Sequence, residues 1–343
     1  MHMKVNDIPK GLNHTPVAII DAYVKAKSVL EAHENGYVAV SGGRDSDIML
    51  DILWHLAGDQ LTYVWFDTGL EWDATLRHLA YLENRYGIEI RRVKAYRPVA
   101  WCVKEYGQPF ISKLISHMID HLQRKGFTWN DEPLEDLVLR YPTIRSYLKW
   151  WCDDYRTADG GVMNQWNICR HNSLKQFLMT ERPSFRISDR CCYYAKKRTS
   201  ELFAKSEHWQ LSMTGVRQSE GGVRAIHYSG CYNAGKLGVD MYRPVFWFRD
   251  EDERVYADHF ELVHSDCYKQ MGFRRTGCVG CPFNSHYNEE LESAERFEPA
   301  KVKAARAIFG DSYRYTEEFK RYRDLHHAEN RRRPAAVTPE PSV

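Results

Sequence analysis

No stretch of this chain approaches the apolar run that a membrane-spanning helix needs. Residues 1–10 are polar and carry no secretory-signal core. No membrane partner is expected, and the cytoplasm is the expected compartment. Net charge is also scarce: 48 Lys and Arg face 46 Asp and Glu, a formal +2. No global field advertises nucleic acid or lipid, so any basic groove has to be local. The Gly-x-x-x-x-Gly-Lys-Ser/Thr phosphate loop is absent. So is any internal repeat. The nine cysteines are an odd number. Without an export signal they argue against disulfides and for metal or thiol chemistry.

What is present is the composition of a globular enzyme. The 343 residues are 43% hydrophobic and 27% charged, enough for one large domain or two smaller ones. A leading helix is expected from Pro16 to His33, with Val17, Ile20, Ala22, Val24, Ala26 and Leu30 as its apolar positions. Tyr37–Val40 then reads as a buried strand, Asp47–Leu56 as a helix and Leu61–Phe66 as a strand. Glu71–Tyr86 reads as a helix and Ile88–Val93 as a third strand. This alternation predicts an α/β fold with a doubly wound parallel sheet. Ligands of such sheets sit beyond the carboxyl ends of the strands.

The rhythm breaks over 101–185, which is aromatic and helical by pattern (Trp101, Phe110, Trp129, Trp150, Trp151, Trp166). Leu211–Gly215 returns to the sheet, and 241–330 reads as helical with a cysteine knuckle at 278–281. The expected organisation is an N-terminal helix (1–35) and a nucleotide-binding domain (36–100 and 186–250). A helical insertion (101–185), a C-terminal helical cysteine region (251–330) and a disordered tail (331–343) complete it.

Two patterns carry chemistry. Ser41-Gly42-Gly43-Arg44-Asp45-Ser46 stands between a strand and a helix. Glycines let the backbone turn tightly and aim successive N–H groups inward, and the helix N-terminus adds positive charge. The hexapeptide is therefore expected to cradle phosphates. The second pattern is the pair Cys191-Cys192 with the knuckle Cys278-Val279-Gly280-Cys281. Cys-x-x-Cys is a soft-metal signature, and a second pair completes four thiolates. Adjacent cysteines suit tetrahedral zinc poorly, because neighbouring side chains diverge. Lys196, Lys197 and Arg198 follow the pair and would offset its negative charge, or form a solvated basic face.

Ser41–Ser46 resembles the PP-loop of the ATP pyrophosphatases. Asp67-Thr68-Gly69 resembles the turn of the adenosine phosphosulfate and phosphoadenosine phosphosulfate (PAPS) reductase superfamily. Gly215-Val216-Arg217, followed by Arg224, is similar to its Gly-x-Arg segment. Arg243–Trp247, then Asp252–Tyr256, resembles a further stretch, with the tryptophan one residue early. Arg44 stands where many PP-loops carry Lys, which turns a point charge into a fork.

The resemblance implies an adenine nucleotide α-hydrolase-like fold that binds ATP with Mg2+. The nucleotide set would be Ser41, Gly42, Gly43, Arg44, Asp45, Ser46, Asp67, Thr68, Gly69, Gly215, Arg217 and Arg224. Asp45, Arg217 and Cys231 are the implied catalytic candidates. Glu71 would cap a helix or help hold magnesium. A Cys-Cys pair with a distant Cys-x-x-Cys is the layout of the iron–sulfur form of this superfamily. It implies a [4Fe-4S] cluster on Cys191, Cys192, Cys278 and Cys281, with zinc as the alternative. Cys102, Cys152, Cys169 and Cys267 read as small buried residues.

No cysteine follows Cys281, where the superfamily's reductases carry their nucleophile. The layout is instead similar to branches such as the DNA phosphorothioation ATPase and phage proteins of unassigned role. The implied function is ATP-dependent adenylylation followed by sulfur transfer, with nucleic acid as a candidate acceptor. A cysteine desulfurase would be a candidate sulfur donor. A thiol-dependent phosphosulfate reductase and an inactive nucleotide- or nucleic-acid-binding module are the alternatives. The aromatic insertion, with Lys113, Arg124, Lys125, Arg140, Arg145, Lys149 and Arg156, would either stack bases or simply fill a core.

Overall fold

In the computed structural model, short strands of β-branched and aromatic residues assemble one six-stranded sheet in the order β3-β2-β1-β4-β6-β5. The structure describes residues 16–171, 173–220, 228–235 and 238–332, with the backbone alone for 327–332. The strands are β1 (Gly36–Ala39), β2 (Thr62–Asp67), β3 (Ile90–Lys94), β4 (Leu211–Thr214), β5 (Tyr232–Asn233) and β6 (Asp240–Tyr242). All pairings are parallel except that of β5 with β6. The expected α/β fold is thus present. The two- and three-residue strands β5 and β6 are too short to leave an alternation in the sequence.

Strand order runs outward from β1 in both directions, so the switch point lies between β1 and β4. Open α/β sheets place their ligand crevice there.

Three helices set the site. α1 (Val17–Glu31) buries Ile19, Ala22, Tyr23 and Ala26. This stripe differs from the expected one: Val17 and Val24 face solvent. The i, i+3, i+4, i+7 spacing of the observed set forms one helical face. α2 (Arg44–Ala57) begins three residues earlier than its apolar pattern suggests, so its first turn lies inside the glycine-rich hexapeptide. α3 is Asp73–Tyr86.

The described residues form two compact units. The first takes those up to Trp101, Cys192–Val279 and Asn288–Lys303. It contains the sheet and a core that includes Val38, Val40, Ile48, Leu50, Leu53, Leu211 and Met213. The second takes Cys102–Cys191, Gly280–Tyr287 and the described residues from Ala304. The C-terminal helical stretch is thereby shared, since helix Pro299–Arg332 crosses the boundary.

Phe110, Trp129, Trp150 and Trp151 are all buried in the second unit's core, packed with Ile115, Leu148 and Phe177. They fill that core and offer no open face for bases. No helix among the described residues is long and apolar enough to cross a membrane.

Candidate nucleotide and thiol site

The chain leaves β1 through Val40 and turns at Gly42, whose φ of 70° lies in the left-handed region that favours glycine. Gly43 then caps α2 in an extended conformation. Ser46 Oγ accepts from the Ser41 N–H at 2.9 Å, so the last serine of the hexapeptide ties back its first. The Arg44 N–H donates to the Tyr268 hydroxyl at 3.3 Å, and the Arg44 guanidinium lies 4.4 Å over the same ring. Ser41 and Arg44 remain exposed. A strand exit, a left-handed glycine and a helix N-terminus coincide here, the arrangement that binds anions.

Gly215 follows β4 across the switch point. A Cβ there would stand 2.7 Å from Asp45 O and 2.8 Å from Ser46 Cα. The 41–46 loop and the Gly215 segment therefore touch backbone to backbone.

Arg217 is buried, and its fork is engaged on three sides. Nε lies 2.7 Å from Asp45 Oδ1, Nη1 lies 2.8 Å from Asp250 Oδ1, and Nη2 lies 2.8 Å from Glu253 Oε2. The Asp45 contact is close but poorly aligned as a hydrogen bond. In this arrangement Arg217 braces the start of α2 against helix Asp250–His259. Meeting a phosphate would require it to exchange a carboxylate. Arg224 lies outside the described residues.

Burial pushes the Asp45 carboxyl up to about 7, with the Glu220 carboxyl beside it adding to the rise and Arg217 opposing it. An acid whose folded value lies above its ordinary 3.8 takes up a proton on folding. Its contribution to stability is present below about pH 4 and is lost as pH rises towards 7. Wild type is therefore expected to lose stability relative to Asp45→Asn between about pH 5 and pH 8, by on the order of 1 kcal/mol or more. Urea midpoints of both proteins at the two pH values measure this; parallel curves would contradict it.

Asp67 ends β2. Its Oδ1 accepts from the Gly69 N–H at 2.8 Å, and its Oδ2 accepts from Arg92 Nε at 2.9 Å. The carboxylate therefore shapes the turn. Thr68 Oγ1 donates to Glu71 Oε1 at 2.6 Å and lies 3.5 Å from Cys278 Sγ. The Val279 N–H donates to Leu70 O at 3.0 Å, which fixes the cysteine knuckle to the same turn.

Burial raises the Cys278 thiol above its ordinary range; Lys196 opposes the rise, while Glu71 and Cys192 add to it. Burial likewise raises Glu71, against Lys196 and Thr68. Cys192, Lys196, Glu71 and Cys278 thus feel one another's charge at the carboxyl end of β2. Cys192 precedes one π-helical turn, Tyr193–Lys197, a distortion frequent at functional sites.

Cys192 and Cys278 belong to the first unit, Cys191 and Cys281 to the second. Tyr313, in the second unit, has its phenol raised by burial and by the Cys281 charge. Among the described residues no group of three or more His, Cys, Asp or Glu is placed to hold a metal ion. The donor chemistry, four cysteines in two pairs, suits a soft metal or cluster, and within the first unit Cys192 lies close enough to act on the Cys278 thiol.

Cys231 is buried in the first unit's core beside edge strand β5, with β6 and β4 between it and β1. Its carbonyl accepts from the Arg243 N–H at 2.8 Å. Cys102 and Cys267 are buried, whereas Cys152 is half-buried and Cys169 is exposed.

One constellation leaves no trace in the sequence. Asp47 Oδ2 receives both His78 Nε2 and His264 Nδ1 at 2.9 Å, beneath the glycine-rich loop. His78 lies near Gly42. The two histidines come from positions 31 and 217 residues away along the chain. Only the acid's place on the apolar face of α2 could have hinted at a buried polar cluster.

Residues 35–119 match the phosphoadenosine phosphosulfate reductase domain. An uncharacterized protein of Methanocaldococcus jannaschii is 38% identical over 112 residues, 32% of this chain and 22% of that protein. The chain thus spans about a fifth of that relative's length. Among solved structures, a PAPS reductase from Candida auris in a phosphate complex is similar with 11% identity and a TM-score of 0.40. The similarity covers 79% of this chain and 97% of that one. The U34-tRNA thiolase NcsA from Methanococcus maripaludis, with its [4Fe-4S] cluster, is similar with 14% identity and a TM-score of 0.36. Here 90% of this chain and 80% of that one are covered. The segment that holds the Ser41–Ser46 loop and the Asp67–Gly69 turn is thus similar to the phosphoadenosine phosphosulfate reductase domain.

Proposed function

We propose that the chain is a PP-loop ATP pyrophosphatase that activates an acceptor hydroxyl for sulfur transfer. The observation that carries this reading is the Thr68–Glu71 turn, which contacts Cys278 and neighbours the loop-bearing strand β1. The acceptor oxygen attacks the α-phosphorus of ATP and releases pyrophosphate and a proton. A hydrosulfide-level donor, such as a desulfurase persulfide with a thiol reductant, then displaces AMP. Backbone N–H groups at 41–46 would hold the phosphates with Mg2+, and Arg44 would add charge from the rim. Cys191, Cys192, Cys278 and Cys281 would hold a [4Fe-4S] cluster, whose chemistry here is to carry sulfur. Lys196 would offset its negative charge. Nucleic acid is the acceptor class we favour.

Anaerobically purified protein tests the reading. Broad violet–blue absorption with bound iron is expected, and Cys278→Ala should abolish it while nucleotide binding persists. With ATP, Mg2+, sulfide and nucleic acid, stoichiometric AMP and pyrophosphate are expected. A colourless zinc protein would refute the cluster. A lack of AMP and pyrophosphate with every acceptor would refute the reaction.

A further inference from the structure

Large rings exposed together on a protein surface mark a binding surface when they are clustered and fixed. Such a cluster stands on the first unit, with Trp101 its one member from the aromatic insertion. Tyr96 is 52% exposed, and Trp101 and Tyr193 are each 40% exposed. The Arg97 guanidinium joins them, 4.1 Å from the Trp101 ring, 5.5 Å from Tyr96 and 5.9 Å from Tyr194. Tyr194 is 5.0 Å from Tyr193, nearly perpendicular, and 6.2 Å from Tyr96, tilted by 34°.

The cluster is anchored to the site. The Tyr96 N–H donates to Thr199 Oγ1 at 2.9 Å. The Ala95 N–H donates to Asp67 O at 2.8 Å, and the Val99 N–H to Thr68 O at 3.0 Å. Pro98 lies against Gly69, where an added Cβ would meet it at 3.0 Å. The rings are thus built onto the turn whose threonine contacts Cys278. Lys196 and Lys197, exposed on the turn that carries Tyr193 and Tyr194, add positive charge.

We infer that Tyr96, Arg97, Trp101 and Tyr193 form a stacking platform for single-stranded nucleic acid, which brings an acceptor to the thiol end of the sheet. Differently tilted rings suit successive unpaired bases, whose faces are open, whereas a duplex hides its base faces. The basic residues complement the phosphate backbone. The choice of acceptor rests on the sulfur-transfer reading, but binding to the platform requires no turnover.

The test uses the full chain, free of nucleotide, with fluorescein-labelled RNA and DNA single strands of mixed sequence and their matching duplexes. Anisotropy should show the single strands bound more tightly than the duplexes. Trp101→Ala and Tyr193→Ala should each weaken that binding by about 5- to 100-fold. Trp101→Phe should restore most of it. Lys197→Gln should lower the salt slope by about one. ATP affinity and circular dichroism should be unchanged in all four variants. Equal affinity for strands and duplexes, or ring variants that bind like wild type, would overturn the platform. Ring variants that lose ATP instead would also overturn it, assigning the rings to adenine. Because complex formation is read without ATP, failure of pyrophosphate release leaves this result intact, and the reverse also holds.

Discussion

Gly215→Ala is expected to disable the nucleotide loop. The added carbon would stand 2.7 Å from Asp45 O and 2.8 Å from both Asp45 C and Ser46 Cα. All three are backbone atoms, so no side-chain rotamer relieves the clash. Either β4 or the first turn of α2 has to move. Overpacking of this kind costs about 1–3 kcal/mol in stability. A displacement approaching 1 Å at a phosphate cradle lowers turnover on the order of 100-fold. Gly310→Ala is the control, because nothing lies within 4 Å of its added carbon. With no left-handed φ to strain, that change should leave nucleotide binding intact and slightly raise stability. Nucleotide titration and thermal melts of both variants decide the matter; equal behaviour would show that the contact between Gly215 and the loop is unimportant.

Arg217→Ala is expected to have the second large effect, and it should be structural before it is catalytic. Asp45 and Glu253 side chains are 14% and 10% exposed and lie within 2.8 Å of the guanidinium. Removing it leaves two mostly buried carboxylates without their cation, a loss of about 3 kcal/mol or more. Asp250 is 93% exposed and loses little. Lysine should not rescue the variant, since one ammonium cannot serve three carboxylates from a planar fork. Urea unfolding of Arg217→Ala, Asp45→Asn and the double variant gives the coupling. We expect the double variant to be less destabilised than the sum of its parts. Additive losses would mean that the pair does not interact.

The strand–glycine–helix turn at residues 41–46 was legible because its requirements are local. A short apolar strand, two glycines and a helix start are neighbours in the chain, and φ at Gly42 is a property of one residue. The α/β alternation was legible for the same reason. Arg217 was legible as an important arginine but not as a brace. Its partners Asp250 and Glu253 lie on a helix whose approach depends on the whole first unit. Asp67 read as a nucleotide contact, but the bonds of its carboxylate to Gly69 and Arg92 were not legible. The choice between a core and a stacking face was undecidable for the tryptophans, because both need the same residue types. Packing put Trp150 and Trp151 inside and left Tyr96 and Trp101 outside.

By itself, then, the sequence determined the alternating α/β elements, the glycine-rich turn at the exit of β1 and the two cysteine pairs. These follow from backbone freedom, hydrophobic period and residue chemistry, which act over a few positions. Tertiary structure alone decided that Gly215 abuts Asp45, that two histidines converge on Asp47, that Thr68 meets Cys278 and which rings face water. Those contacts join residues tens to hundreds of positions apart, and their energies exist only after the chain has closed the loops between them.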